Sequence, residues 1–119
     1  MKYISLFLFL FLACSEPVSV VKHKPVIRSI TLSRTQIYVD EFITVQADVA
    51  DEDKDELSYT WSADGGIFIN PKNNPTQWHA KTEPGTYTIN LSVTDGTFIV
   101  EKATQVQVIS HKLILSNRP

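Results

Sequence analysis

Pro84-Gly85-Thr86-Tyr87-Thr88-Ile89-Asn90-Leu91-Ser92-Val93-Thr94-Asp95-Gly96 is the stretch whose reading decides the fold. Tyr87, Ile89, Leu91 and Val93 alternate with Thr88, Asn90 and Ser92, which gathers the apolar side chains on one face of an extended strand. A helix would scatter the same residues around its circumference, because its side chains repeat every 3.6 residues rather than every two. Pro84-Gly85 ends the preceding loop. Asp95-Gly96 lies between Val93-Thr94 and Thr97-Phe98, and a two-residue Asp-Gly loop suits the positive φ angles of a type I′ hairpin.

The same alternation recurs on the N-terminal side. Ile43, Val45, Ala47 and Val49 alternate with Thr44, Gln46 and Asp48, and Leu57, Tyr59, Trp61 and Ala63 with Ser58, Thr60 and Ser62. Weaker strand patterns cover Val26 to Leu32, Ile67 to Ile69, Thr76 to Ala80 and Phe98 to Ile109. Gly65-Gly66, Asn70-Pro71 and Asn73-Asn74-Pro75 supply turns between them, and no segment has a helical period. Short strands with one apolar face must bury that face against a second sheet. The expected fold is all-β: a single immunoglobulin-like, antiparallel two-sheet β-sandwich of about seven strands, over residues 25–109. Trp61 and Trp78 fall on inward faces and read as core. With 119 residues in total, the chain has room for one such core, and a domain this small disfavours a deep active site.

The run Asp51-Glu52-Asp53-Lys54-Asp55-Glu56-Leu57-Ser58-Tyr59-Thr60-Trp61, taken with the segment from Pro84 to Gly96, resembles PKD-type and related bacterial immunoglobulin-like domains. Thr76-Gln77-Trp78-His79-Ala80 is similar to the strand that precedes the Pro-Gly-Thr-Tyr segment in these modules. The resemblance implies a PKD-like sandwich. It also makes Tyr87, two residues before the inward-facing Ile89, similar to the tyrosine corner, whose hydroxyl bonds nearby backbone.

The N-terminus carries an address. Met1-Lys2 precedes an apolar run from Ile4 to Ala13, which spans only about half of a ~30 Å hydrocarbon core and so reads as a signal peptide over residues 1–13. Phe11-Leu12-Ala13-Cys14 resembles the lipobox of bacterial lipoproteins, which implies lipidation of Cys14 and anchoring in a membrane of the cell envelope. Ser15, where the family's inner-membrane proteins tend to have Asp, favours the outer membrane in a host that has one. A soluble secreted or periplasmic form is the alternative, since Ala13-Cys14-Ser15 also fits an ordinary cleavage site. Residues 14–24 then form the lipidated cysteine and a short tether, and residues 110–119 a C-terminal tail in which Leu113, Ile114 and Leu115 need a cover.

Cys14 is the only cysteine, so the sandwich must hold together by packing without an internal disulfide. The chain has 11 Lys and Arg against 13 Asp and Glu, and the basic residues are scattered singly rather than clustered, which argues against nucleic-acid binding, because that needs a basic stripe to displace counterions from phosphates. His23, His79 and His111 have no metal-ligand spacing, and no nucleophile elbow, zinc-protease helix or phosphate-binding loop occurs. The expectation is therefore a non-enzymatic module for protein interaction or adhesion, with a protein or surface polymer as partner. A structural accessory subunit or spacer is the alternative. Carbohydrate binding is a third reading and would have to use Tyr38, Phe42 and Phe68.

One cluster invites a cofactor. Asp51, Asp53 and Asp55 alternate in a loop opposed only by Lys54, which suits a weak calcium site or, equally, a solvated turn. An EF-hand is excluded, because Glu56 stands where that loop turns on glycine and Ser62 where its bidentate Glu belongs.

Overall fold

A computed structural model describes residues 21–111, and Cys14, the apolar leader and the tail residues Leu113 to Leu115 lie outside the described residues. Eight strands follow in order: β1 (Val26–Leu32), β2 (Gln36–Tyr38), β3 (Phe42–Ala50), β4 (Ser58–Ala63), β5 (Ile67–Phe68), β6 (Thr76–His79), β7 (Gly85–Thr94) and β8 (Ile99–Ile109). They form two four-stranded sheets, β1-β3-β6-β5 and β2-β8-β7-β4. Among the described residues there is no helix.

The alternating residues face each other across the sandwich. Ile43, Val45 and Ala47 of β3 and Trp78 of β6 meet Trp61 of β4, Ile89, Leu91 and Val93 of β7, and Val106 and Val108 of β8. All are buried, and full burial of each aliphatic or aromatic side chain contributes about 1.5–3 kcal/mol. The indole N–H groups do not go unpaired. Trp61 Nε1 donates to the carbonyl of Asn73 at 2.8 Å and Trp78 Nε1 to that of Gly65 at 3.1 Å, so each ring is packed at its face and tied at its edge. The Tyr87 hydroxyl donates to the carbonyl of Glu83 and accepts from the Thr82 hydroxyl, closing a tyrosine corner at the start of β7.

The architecture departs from the expected pattern in two places. The count is eight rather than about seven, because Gln36–Tyr38 forms β2, and β2 pairs parallel with β8 in a sandwich otherwise antiparallel. Three residues are too few to display a period of two, although Ile37 among them is 1% exposed. The expected β7–β8 hairpin is present, but its turn is not a two-residue type I′. Thr94 pairs with Ile99 across a four-residue loop in which Gly96 has a positive φ and Asp95 does not. Asp95 Oδ1 accepts the N–H groups of Thr97 at 2.8 Å and Phe98 at 2.7 Å, replacing a tight backbone turn with a side-chain-closed one.

Strand pairing fixes which loops share an end. Val26 opposes Ala50, Ser58 opposes Thr94 and Thr94 opposes Ile99, so the residues before β1, the β3–β4 loop and the β7–β8 loop cluster together. Tyr38 opposes Ile109 and Gly85 opposes Val108, which puts the C-terminal end of β8 at the opposite pole. The chain therefore comes in at one end of the sandwich and leaves at the other.

Candidate functional site

The β3–β4 loop is organised by one carboxylate. Asp51 Oδ1 accepts the N–H of Asp53 at 3.1 Å and Oδ2 that of Asp55 at 2.9 Å, while its backbone carbonyl accepts the N–H of Lys54 at 3.0 Å. Lys54 turns the chain from the left-handed region, with φ of 57°. Curled in this way, the loop, which crosses from β3 in one sheet to β4 in the other, brings carboxylate oxygens of Asp51 and Asp55 within 4.8 Å of each other and of Asp95, which comes from the β7–β8 loop beside β4. Asp53, the third residue of the expected trio, is not in this cluster.

Asp53 instead holds the incoming chain. Its carboxylate accepts the backbone N–H of His23 at 2.7 Å and lies 3.0 Å from His23 Nδ1. The hydrogen bond to Asp53, followed by the nearby charge of Glu52, raises the His23 pKa above 6.5, and the backbone N–H of His23, followed by its ring, lowers that of Asp53. One residue earlier, Lys22 Nζ donates to Asp55 Oδ2 at 2.9 Å. That hydrogen bond, reinforced by the charges of Asp55, Asp95 and Asp53, raises the lysine pKa. Two consecutive tether residues are thus fastened to alternate carboxylates of one loop.

Asp95 has a different environment. It is 9% exposed, its Oδ1 is occupied by the two loop N–H groups, and its Oδ2 is buried with no hydrogen-bond partner among the described residues. The bonds from Phe98 and Thr97 outweigh burial and hold its carboxyl below the usual carboxylate range, so it is an anion at neutral pH. Sequence reading missed Asp95 because its role in the hairpin explained it fully; the missing signal was that β4 and β7 pair Ser58 with Thr94, which brings their adjoining loops together.

The remaining candidate residues do not converge. His79 contacts Asp40 at 3.2 Å and stacks on Phe42 at 4.1 Å, whereas His111 stacks on Tyr38 at 4.8 Å. Tyr38 and Phe42 belong to different sheets, and Phe68 packs on Trp61 at 6.1 Å. The three aromatics considered for sugar stacking therefore do not form one platform.

The family model described as the PKD domain matches residues 29–108, more than half of the chain. The chain belongs to the PKD domain family. The match runs from within β1 to the penultimate residue of β8 and takes in the acidic loop and Asp95, while Lys22 and His23 precede it. The structure is similar to a chimeric titin Z1Z2 functionalised with an exogenous KLER peptide from decorin, at 14% identity and a TM-score of 0.47, covering 77% of this chain and 100% of that one. It is also similar to fibronectin(III)-like modules of Clostridium thermocellum CbhA, at 18% identity and a TM-score of 0.49, covering 85% of this chain and 53% of that one. No curated protein matches the sequence. A PKD domain of this build suggests an interaction or structural module.

Proposed function

We propose that this PKD domain is displayed by a non-catalytic envelope lipoprotein, anchored in a membrane through lipidated Cys14, and acts as a protein-interaction or adhesion module. The observation that carries the reading is the fastening of Lys22 and His23 to the acidic loop. Lys22 lies eight positions after Cys14, a stretch that extends at most about 28 Å, so a lipid anchor at Cys14 would hold the acidic end of the sandwich towards the bilayer. The opposite pole, with Tyr38, Phe42 and the end of β8, then faces away and is the surface available to a protein or surface polymer. Acyl chains contribute about 0.8 kcal/mol per buried CH₂, and two membrane signals already suffice for stable attachment. The outer membrane is the favoured location in a host that has one, because Ser15 follows Cys14.

A spacer or accessory role in an envelope assembly is the second reading, supported by β1 beginning at one pole of the sandwich and β8 ending at the other. Membrane fractionation of the wild type and Cys14→Ser, with mass spectrometry of the mature N-terminus, tests the anchor. An acylated, membrane-bound wild type and a released variant are expected; an unmodified N-terminus in the soluble fraction rejects anchoring. Photo-crosslinkers at Tyr38 and at Glu52 then compare the two poles, and crosslinks from the acidic pole alone would reject the proposed orientation.

A further inference from the structure

We propose that the outer edge of β8 from Ile99 to Gln105 is a strand-addition site, which takes an extended segment of a partner protein carrying an acidic side chain opposite Lys102 and a basic one opposite Glu101. The inference gives a form to the partner in the interaction reading and rests on that reading, but not on lipidation of Cys14.

The backbone shows which way this edge faces. Gln107 N donates to the carbonyl of Thr35 at 2.8 Å, and the carbonyl of Ile109 accepts from Val39 N at 3.0 Å, so both residues turn their polar groups towards β2. β8 pairs with β7 without a register shift from Ile99 to Val108, and alternate residues of a strand point their N–H and C=O to the same side. Ile99, Glu101, Ala103 and Gln105 therefore direct theirs to the β2 side. β2 reaches only Gln107 to Ile109, and among the described residues no strand pairs with β8 on that side before Gln107. The result is a row of free backbone donors and acceptors about 20 Å long, a template for one more strand.

The other sheet edges are blocked or broken. Tyr38, on the outer side of β2, bonds to Glu41 through both its N–H and its carbonyl. Trp61, on the outer side of β4, donates its N–H to the carbonyl of Pro71 at 2.8 Å. A register shift between Ile27 and Ser29 interrupts β1, and β5 is two residues long.

Charge selects the occupant. Lys102 stands opposite the buried Leu91, on the face of the sheet turned to the core, but is itself exposed. An inward-turned charge on an edge opposes indiscriminate pairing. Two copies pairing antiparallel over the whole run would set Lys102 directly against Lys102, its central residue, and like charges directly opposite are destabilising. A shift that centres Glu101 sets that residue against itself, and one that centres Ala103 runs Ile99 into the other copy's β2. A partner strand with opposite charges at these two places turns both repulsions into attractions. Because Glu101 and Lys102 lie on opposite faces, the partner must carry its basic and acidic residues next to each other in sequence.

Amide exchange of the full detergent-solubilised chain, followed by NMR, tests the inference with the capped peptide Thr-Thr-Val-Glu-Lys-Val-Val. Paired antiparallel, it sets its Glu against Lys102 and its Lys against Glu101. In the free protein the amides of Glu101, Ala103 and Gln105 should exchange faster than those of Lys102 and Thr104, which face β7. Equal protection would mean that the edge is already covered and would overturn the site. The peptide should slow exchange at the same three amides; no effect at about 5 mM, where a millimolar complex would be mostly formed, also overturns it. The peptide with Glu and Lys exchanged should bind about tenfold more weakly, and E101K/K102E, altered at two exposed positions, should reverse the preference. Equal binding of both peptides by the wild type overturns the charge assignment. Undiminished binding of a peptide N-methylated on its β8 side overturns strand addition. Sedimentation of the protein alone tests the second copy: a dimer that protects Ala103 as it forms would replace the partner strand with β8 of another copy. Circular dichroism checks the variant, and if it does not fold, the two peptides on the wild type carry the charge test. Membrane fractionation of Cys14→Ser is unaffected by any of these outcomes, so failure of the edge and failure of the anchor are read separately.

Discussion

Gly66 meets Trp78 so closely that a Cβ on the glycine would lie 2.3 Å from Cζ2 of the indole ring. The ring cannot simply retreat, because Trp78 is fully buried and its Nε1 is bonded to the neighbouring carbonyl of Gly65. Gly66 also has a φ of 74°, a region that a side chain makes unfavourable by about 1–2 kcal/mol. Overpacking adds about 1–3 kcal/mol. Gly66→Ala should therefore lose roughly 2–5 kcal/mol in urea denaturation, with Trp78 fluorescence shifted in whatever native state remains. A loss below about 1 kcal/mol would mean that the β4–β5 turn does not depend on this contact.

Asn74 acts as a one-residue strand. Its Oδ1 accepts the N–H of Ala47 at 2.9 Å and its Nδ2 donates to the carbonyl of Ala47 at 2.9 Å, extending the β3–β6 ladder beyond Val45 and Thr76. Asn74→Ala would leave both backbone groups of a buried residue unpaired and should cost about 2–4 kcal/mol, with faster hydrogen exchange at the Ala47 amide. Asn74→Asp keeps the acceptor but turns an anion towards the Ala47 carbonyl, so it should not rescue the loss. An Asp variant as stable as the wild type would contradict this account.

These contacts divide what was legible in the sequence from what was not. Ile89, Leu91 and Val93 are wholly buried, as their alternation requires, and both tryptophans point inward because they fall in register with apolar neighbours. Periodicity carries that information locally. It carries nothing about β2, which is shorter than two full periods, nor about loop closure by a side chain, as Asp95 achieves. The acidic loop was visible as a charge run, but the division of labour within it depends on partners distant in sequence. Asp55 and Asp51 meet Asp95 through the pairing of β4 with β7, and Asp53 meets His23 through the path of the tether.

The tyrosine corner yields a smaller effect. Removing the hydroxyl in Tyr87→Phe frees the Glu83 carbonyl and the Thr82 hydroxyl, both near the surface, while the ring keeps its contact with Trp78 at 6.1 Å. The expected loss is about 0.5–1.5 kcal/mol by denaturation. Thr82→Ala tests the network, because its effect should shrink when introduced into the Tyr87→Phe background; full additivity would show that the two hydroxyls act independently.

His23 makes attachment of the tether sensitive to pH. Its pKa is raised above 6.5, chiefly by the hydrogen bond to Asp53 and then by the charge of Glu52. A group whose pKa is higher in the docked state contributes stability that is fully present below the undocked value and is lost as pH rises through the docked one. The tether should thus be held most firmly at mildly acidic pH and loosen as His23 becomes neutral, while the backbone N–H bond to Asp53 persists. Proton NMR of the imidazole gives the titration directly, and hydrogen exchange at the His23 amide reports attachment over the same range. Asp53→Asn should bring the His23 pKa back towards 6.5 and remove most of the pH dependence of that exchange. Since His23 is exposed, salt should reproduce part of the effect by screening the pair. An imidazole titrating at its ordinary value in the wild type, or an unaltered one in Asp53→Asn, would show that His23 does not sense this carboxylate in solution.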